Sequence, residues 1–438
     1  MAIIPQHSRI YLGAPGVTLT VKMKEVLGAI ASGDSPLFVA GKAGTGKSTL
    51  LRYIQGLAHR PVAILGPTGV SAVNVHGMTI HSFFRFPPRL LSQYEFKRHS
   101  VLEVLCKKLE GIIIDEISMV RADMLDAIDA TLRLHRCDNR PFGGVQMIFF
   151  GDLAQLPPVV ADEALKKHFT TVYESPFFFD AYCLRIQPLV HHELTDVLRQ
   201  RDLQFVEILN RVSVGASTPN DLRELNRRVD SQSRLRRPNA IVLTTTNRSA
   251  KATNKSRLDE LSGKMLEYHA AIKGNVNKDA YPTNEVLELK PGCRVMLLAN
   301  NGSKWNNGTL GRVVGQGRHE GDEALQVEVR GTVYSVIRHT WEIIRYTPQG
   351  DSTALEEKVV GTFRQFPVKL AWAVTIHKSQ GLTFDEVIID LDRGTFDHGQ
   401  LYVALSRCRR LDGISLVVPV RMTDLQVHPR VDWFHRQL

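Results

Sequence analysis

The stretch from Leu37 to Leu50, LFVAGKAGTGKSTL, decides how the beginning of this chain folds. Its first residues form an apolar run, the next match the pattern GxxxxGK[ST], and a helical pattern follows from Lys47 onward. A strand, a glycine-rich loop and a helix in this order are the context that a phosphate-binding loop requires. A glycine-rich turn that binds nothing is the alternative, and the order of the elements disfavours it.

In such a loop the backbone N–H groups point at phosphate oxygens, and the helix N-terminus adds a partial positive charge. Lys47 then reaches the β- and γ-phosphates of a nucleoside triphosphate, and the Ser48 hydroxyl binds Mg²⁺. The predicted nucleotide-binding residues are Gly41, Gly44, Thr45, Gly46, Lys47, Ser48 and Thr49.

A second apolar run ends in two carboxylates, Ile112-Ile-Ile-Asp115-Glu116. Strands that end in this way are common, but this one lies downstream of the loop, where a later strand of the same sheet is expected. Asp115 would hold Mg²⁺ at the end of the strand, and Glu116 would polarise the attacking water. Together the two motifs predict a site that hydrolyses ATP with Mg²⁺.

A third strand pattern, MIFF, leads directly into GDLAQLPP, which contains Gln155. A glutamine at the end of a sheet strand can bind the γ-phosphate and respond to its loss, and the prolines that follow stiffen the loop. We therefore predict that Gln155 belongs to the catalytic set. A proline-rich turn with an exposed glutamine is the alternative.

Composition and charge limit the class of protein. The chain has 438 residues, of which 43% are hydrophobic, so two or more domains are expected. Its net charge of +10 suits a polyanion such as nucleic acid, although charge alone leaves that partner undecided. The five cysteines contain no CxxC pair, which argues against structural zinc and disulfides. No targeting peptide or membrane span is apparent, so we expect a soluble intracellular protein, in the cytoplasm or nucleoid if its source is a bacterium.

Strand and helix patterns alternate along most of the chain, which predicts an α/β fold with two parallel-sheet domains. The expected domains are residues 1–188, and residues 189–284 together with 367–438. A second series of strands and helices is expected to begin near Val190. Short strands and Gly-Asn turns in residues 285–366 predict a small β-barrel inserted in the second domain.

Five motifs in order, GKAGTGKST, GPTGVSAVN, GMTIHSFF, IIIDEISMV and GDLAQLPPV, resemble superfamily-one helicases. PFGGVQMIFFGDLAQLPPV is similar to the signature of Pif-one-type DNA helicases, relatives of RecD. The similarity continues in LRQRDLQF, TTTNRSAKATN, AWAVTIHKSQGLTFDEV and GQLYVALSRCRR. It implies two RecA-like domains with ATP between them, γ-phosphate contacts from Arg199 and Arg407, and a close backbone approach to the nucleotide at Gly381.

The resemblance also implies a track for single-stranded DNA and a short wedge near residues 82–95. The implied DNA contacts are Thr68, Gly69, His81, Phe84, Thr375 and His377. For Phe83 and Phe84, a place in the core is an equally good interpretation, and the inserted barrel could grip DNA or be purely structural.

The family implies an ATP-dependent DNA helicase that moves 5′ to 3′, acts on tailed or forked duplexes, G-quadruplexes or RNA–DNA hybrids, and functions as a monomer. A translocase or remodelling factor that does not unwind, and an ATP-switched clamp on single strands, are the alternatives. Met23 stands where the family has an adenine-reading glutamine, so other nucleoside triphosphates could be used. The chain ends soon after its last motif, so we expect a compact catalytic core.

Overall fold

The computed structural model describes residues 19–57, 61–68, 71–72, 75, 77–87, 90–91, 96–160, 163–197, 202–274, 281–299, 301, 304–305, 308–348, 355–392, 394–395 and 397–437. These residues form two compact units. The first comprises the described residues within Met1–Gln200, Arg345–Lys358 and Val427–Leu438, and the second comprises those within Arg201–Ile344 and Val359–Gln426. The units differ from the predicted domains because residues 189–197, 345–348, 355–358 and 427–437 group with the first unit.

The first unit contains one parallel sheet. Its strands are β1 (Leu37–Gly41), β2 (Val62–Gly66), β3 (Met78–Thr79), β4 (Gly111–Ile114), β5 (Gln146–Gly151) and β6 (Val190–Leu194), in the order β3-β2-β4-β5-β1-β6. The helices are α1 (Val21–Ser32), α2 (Lys47–Leu57), α3 (Ile80–Phe84), α4 (Ser100–Lys108), α5 (Ala122–Arg136), α6 (Glu163–Val172) and α7 (Tyr182–Ile186).

The central strands of this sheet are apolar throughout because both of their faces are covered. Phe38 and Val39 are neighbours in β1 and contribute to two different apolar clusters, as the alternation of side chains along a strand requires. Every pairing in the sheet is parallel. The carboxyl ends of β1, β4 and β5 therefore lie at the same edge.

The strand Val190–Leu194 corrects one prediction. We expected it to open the second series, but it pairs with β1, so that Leu37 lies opposite Val190 and Gly41 opposite Leu194. The strand that carries the predicted phosphate-binding loop is thereby flanked on both sides, by β5 and β6.

The elements that follow are β7 (Ile241–Thr244), β8 (Leu266–His269), β9 (Ala271–Gly274), β10 (Val286–Leu289), β11 (Arg294–Leu297), β12 (Leu310–His319), β13 (Asp322–Val329), β14 (Thr332–Ile337), β15 (His339–Pro348), β16 (Leu355–Gln365), β17 (Val368–Leu370), β18 (Ala373–Thr375), β19 (Val387–Asp390), β20 (Ile414–Leu416), and the helices α8 (Leu203–Ser213), α9 (Pro219–Asn226), α10 (Ser233–Arg236), α11 (Asn247–Asp259) and α12 (Gln400–Ser406). They belong to the second unit, except that residues 345–348 of β15 and 355–358 of β16 group with the first. The second unit contains the second parallel sheet, in the order β18-β7-β19-β20.

The predicted α/β class is confirmed, since each unit carries a parallel sheet. Within the predicted insertion, β11 to β14 form an antiparallel sheet that β17 completes at its edge. Closure of these strands into a barrel stays a prediction. Among the described residues, no helix is long and apolar enough to cross a membrane.

The last helix, α13 (Pro429–His435), belongs to the first unit. The ring of Phe434 stacks on that of Phe179, with the centroids 4.2 Å apart. Arg430 donates to both carboxylate oxygens of Asp180 and also pairs with Glu174 at 2.7 Å. The chain therefore returns from the second unit to the first and is fixed there by apolar and ionic contacts.

Candidate nucleotide and nucleic-acid site

The loop between β1 and α2 has a backbone that only glycine adopts readily. Gly44 and Gly46 both have a φ of 90°, in the left-handed region. A Cβ on Gly41 would collide with the Thr45 side chain and lie 3.2 Å from the Cβ of Leu194. Thr45 is buried, and its hydroxyl donates to the carbonyl of Lys42 at 2.9 Å. The loop is thus held in one shape by its own residues.

Lys47 lies over this loop. Its ammonium group donates to the carbonyls of Gly41 and, at 3.2 Å, of Lys42. The first turn of α2 is closed by the N–H groups of Thr49 and Leu50, which both donate to Gly46. Ser48 is exposed at the start of the helix. An ammonium, a hydroxyl and a helix N-terminus therefore meet at one loop, which is the set of groups that holds phosphate and a divalent cation.

Asp115 and Glu116 follow β4 at the same edge of the sheet. The pKa of the buried Asp115 carboxyl is raised to about 7, first by burial and then by the charge of Glu116, while the charge of Lys47 lowers it. Lys47 and Asp115 follow β1 and β4, whose carboxyl ends lie at the same edge of the sheet. A divalent cation beside this carboxylate would stabilise the ionised form, so Ser48 and Asp115 fit the predicted Mg²⁺ site.

Glu116 itself has a φ of 52°, which is uncommon for a residue with a side chain. It caps the 3₁₀ turn Ile117–Met119, and its carbonyl accepts from the Met119 N–H at 3.0 Å. Backbone strain of this kind is typical of functional sites, and here it lies at the residue predicted to polarise water.

Gln155 lies in the loop after β5, the strand between β1 and β4. It is 6% exposed, and its amide Nε2 donates to Asp152 at 3.0 Å. Its Oε1 has no hydrogen-bond partner among the described residues. The end of β5 passes close to the turn after Glu116, because a Cβ on Gly151 would lie 2.7 Å from Cγ2 of Ile117. The alternative of an exposed glutamine is therefore wrong.

In the second unit, Arg407 is 1% exposed. Its guanidinium donates to the carbonyls of Val403 at 2.9 Å, Leu382 at 3.2 Å and Ser379 at 3.4 Å. Gly381, with a φ of 77°, lies within the turn that Arg407 holds. The structure thus brings together, within the second unit, the motif that contains Gly381 and the motif that contains Arg407. The contact of Arg407 with a γ-phosphate stays a prediction, and Arg199 lies outside the described residues.

Comparisons with known proteins agree with this site. Residues 18–222 match the family model described as PIF1-like helicase, and residues 370–411 match that of the UvrD-like helicase C-terminal domain. The chain is 31% identical to the ATP-dependent DNA helicase Pif1 of Bdellovibrio bacteriovorus over 433 residues, which cover 96% of this chain and 92% of that relative. The chain belongs to the PIF1-like helicase family.

The family resemblance that the motifs indicate is thus confirmed. The human ATP-dependent DNA helicase PIF1 is 34% identical over 98% of the chain. The chain spans slightly less than two thirds of that relative's length, 65%. The solved structure of Bacteroides sp Pif1 in complex with ADP-AlF4 has a TM-score of 0.88 at 35% identity, covering 96% of this chain and 97% of that one. Bacteroides Pif1 bound to ssDNA has a TM-score of 0.70 at 35% identity, with the same coverage.

The DNA track predicted for this PIF1-like helicase begins at Thr68, after β2. Thr68 is exposed, and its hydroxyl forms hydrogen bonds with the Ser71 N–H and hydroxyl. His81 is half-buried, and its pKa is lowered first by burial and then by the charge of Arg121, while Asp123 raises it. A neutral imidazole at neutral pH can still donate or accept a hydrogen bond. Gly69 lies outside the described residues.

Phe84 requires a correction. The residue is 3% exposed, its ring packs edge-on against Phe83 and it stacks on Phe86 with the centroids 5.3 Å apart. Both adjacent phenylalanines belong to the same apolar cluster, so the prediction that Phe84 contacts DNA is wrong. Of the predicted wedge, Arg85 is exposed with a φ of 57°, and residues 88–89 and 92–95 lie outside the described residues.

In the second unit, Thr375 is buried at the end of β18, and its hydroxyl accepts from the Lys378 N–H at 3.3 Å. A contact of its side chain with DNA is therefore not supported, because the hydroxyl shapes the turn His377–Ser379 instead. His377 is half-buried, and burial lowers its pKa. His377 thus stays a predicted DNA contact.

Met23 is fully buried in the apolar cluster around β1, so the position of the expected adenine-reading glutamine is occupied by a core side chain. Asp123, a buried carboxylate in the first turn of α5, binds Arg121 and the backbone of Leu91. An acidic residue in the first turn of a helix indicates at most an N-terminal cap, so the sequence did not indicate that Asp123 also binds the backbone of Leu91.

Proposed function

We propose that this chain is an ATP-dependent DNA helicase that moves 5′ to 3′ along single-stranded DNA and separates duplexes. The observation that best supports this proposal is that three features lie at one edge of the first sheet: the loop between β1 and α2 with Lys47, the Asp115–Glu116 pair, and Gln155. The relatives' names state ATP-dependent DNA helicases, and we extend that activity to this chain.

In this proposal Lys47 neutralises charge on the β- and γ-phosphates of ATP, and Ser48 and Asp115 hold Mg²⁺. Mg²⁺ bound there would neutralise the charge that develops on the phosphate oxygens. Glu116 accepts a proton from the attacking water, and the unpartnered Oε1 of Gln155 is available to orient a polar group in the site. Arg407 and Arg199 are proposed to complete the site.

Single-stranded DNA is proposed to run over Thr68, His81 and His377. The net charge of +10 supports a polyanionic partner, and a relative of this chain from Bacteroides has been solved bound to ssDNA. Backbone contacts of this kind ignore sequence, so binding should weaken steeply as salt increases. A flat response to salt would contradict tracking along phosphates.

The test is strand separation on duplexes that carry a 5′ tail, a 3′ tail or no tail, with Lys47→Ala as the inactive control. Separation of the 5′-tailed duplex alone supports the proposed direction, and separation of the 3′-tailed duplex alone overturns it. Hydrolysis that the tails stimulate without separation would favour a translocase or remodelling factor. Nucleotide-dependent binding without hydrolysis would favour the clamp.

The same assay extends to G-quadruplexes and RNA–DNA hybrids, which we include as proposed substrates. A rate of separation that rises linearly with protein concentration would support action as a monomer, whereas a steeper rise would contradict it. Replacing ATP by GTP or CTP tests the nucleotide preference directly, because Met23 cannot supply an amide to read adenine.

A further inference from the structure

We propose that Asp123, together with Arg121, is a positioning residue that couples the hydrolysis site to the proposed DNA contact His81 and to the backbone of Leu91. The inference rests on the proposed function and adds a role for two residues outside the predicted site. It stands on hydrogen bonds, burial and the short distance along the chain between this pair and Glu116.

The pair itself is rigid. Arg121 Nε donates to Oδ1 of Asp123 at 2.8 Å, and Nη2 donates to Oδ2 at 2.9 Å. Asp123 is 1% exposed, and Arg121 also lies over the Phe169 ring at 5.8 Å. Two parallel hydrogen bonds fix the relative orientation of guanidinium and carboxylate more strictly than a single contact does.

Asp123 also binds the backbone of Leu91. Its Oδ2 accepts the N–H of Leu91 at 2.8 Å, and Leu91 is itself buried. A buried N–H without a partner is costly, so this bond ties the Leu91 backbone to the start of α5.

The pair influences His81 as well. Burial lowers the pKa of His81 most, the positive charge of Arg121 lowers it further and the negative charge of Asp123 raises it. Since His81 is a proposed DNA contact, a shift of the pair would change the electrostatic environment of that contact.

The path to the hydrolysis site is short. Glu116 is followed by the 3₁₀ turn Ile117–Met119, and the Val120 N–H closes that turn on Ile117 at 2.9 Å. Ile117 and Val120 are fully buried, and Arg121 comes next. A close-packed turn transmits a displacement rather than absorbing it. In this proposal a change at Glu116 during turnover is passed to the pair and on to His81 and Leu91.

The experiment compares Asp123→Asn with Asp129→Asn. Asp129 is a matched control because it lies on the same helix, is buried, binds Arg133 at 2.8 Å and accepts the Phe142 N–H at 2.5 Å. The readouts are duplex separated per ATP hydrolysed, and the affinity for fluorescent oligothymidine with and without ADP and aluminium fluoride.

For Asp123→Asn we expect about tenfold less duplex separated per ATP, with turnover on saturating oligothymidine within about twofold of the unmodified protein. The effect of nucleotide on oligothymidine affinity should shrink toward none, because that ratio measures the coupling between the two sites. Asp129→Asn should leave unchanged both the duplex separated per ATP and the effect of nucleotide on oligothymidine affinity. Arg121→Lys, which keeps the charge but loses the two-point geometry, should shift both ratios in the same direction as Asp123→Asn.

If Asp123→Asn and Asp129→Asn lower the duplex separated per ATP equally, Asp123 has a merely structural role and the inference is overturned. The inference is also overturned if neither Asp123→Asn nor Arg121→Lys changes the duplex separated per ATP or the effect of nucleotide on oligothymidine affinity. If the unmodified protein separates no duplex, the helicase proposal fails, but the nucleotide effect on affinity still decides the inference. If the nucleotide effect on affinity is lost in the Asp123 variant but not in the Asp129 variant, coupling is supported. If the unmodified protein shows no such nucleotide effect, coupling is refuted.

Discussion

Replacing Phe434 by alanine should release the last helix, α13, from the first unit. Phe434 is 9% exposed, and its ring stacks on Phe179 with an angle of 8° between the planes and also approaches Phe38 at 6.4 Å. The helix has 7 residues, too few to be stable without packing. Its folded state therefore depends on the contacts that it makes with the first unit.

The magnitude follows from burial. Removing a fully buried phenylalanine costs about 3–5 kcal/mol, and the residual exposure of Phe434 places it at the lower end, about 3 kcal/mol. Arg430 would still bind Asp180, so we expect local release of the helix before global unfolding. A change of about 3 kcal/mol corresponds to an increase on the order of a hundredfold in the fraction of molecules in which α13 is released.

Hydrogen exchange of the peptide covering residues 427–437 measures this population. Trp433→Ala is the control on the same helix, because Trp433 is 44% exposed and its main contact is the Arg430 guanidinium, 3.7 Å from the ring centroid. Such an exposed contact contributes about 0.5–1 kcal/mol, so exchange should accelerate only about twofold to fivefold. Equal acceleration in both variants, or none in Phe434→Ala, would refute the reasoning.

Four further predictions concern the site and the second unit. Lys47→Ala should abolish ATP turnover, since phosphate charge is no longer neutralised, and near-normal turnover in a steady-state assay would remove Lys47 from the site. Glu116→Gln should bind fluorescent ATP but hardly hydrolyse it; loss of binding would contradict a role confined to the water. Arg407→Ala should slow turnover while oligothymidine binding stays largely intact, and unchanged turnover would exclude it from the catalytic set. Hydrogen bonds from Arg211 lower the pKa of Asp221 from 3.8 to about 2, so about 2 kcal/mol of stability is present above pH 3.8 and lost as pH falls through 2. Urea unfolding of Asp221→Asn should lack this dependence, and an unaltered acid transition would disprove it.

The parts of the site that could be predicted from the sequence are those determined by local chain order. The loop at Gly41 to Lys47 needs only a strand before it and a helix after it, and both are visible as apolar patterns. The places of Asp115 and Gln155 could be predicted because Asp115 directly follows an apolar strand, Gln155 lies in the loop after another, and parallel strands place their carboxyl ends at one edge. The confirmed α/β class follows from the same alternation.

The parts that could not be predicted depend on contacts between distant residues. Whether Phe84 faces DNA or the core is decided by the elements packed around a helix of only 5 residues, not by its neighbours in sequence. Asp123 meets Leu91 across 32 positions, and Arg430 meets Asp180 across 250. Val190 carries no local sign that its strand pairs with β1 rather than with the second sheet.

Arg407 shows how such contacts change the interpretation of a predicted residue. A guanidinium stays charged at any working pH, and here it is buried against the carbonyls of Ser379, Leu382 and Val403. If Arg407 binds a γ-phosphate as predicted, it must exchange these bonds, each worth about 1.5–3 kcal/mol to a charged donor, for bonds to phosphate. The turn around Gly381 then loses the side chain that holds it. If the predicted contact forms, phosphate binding by Arg407 and rearrangement of that turn would therefore be one event.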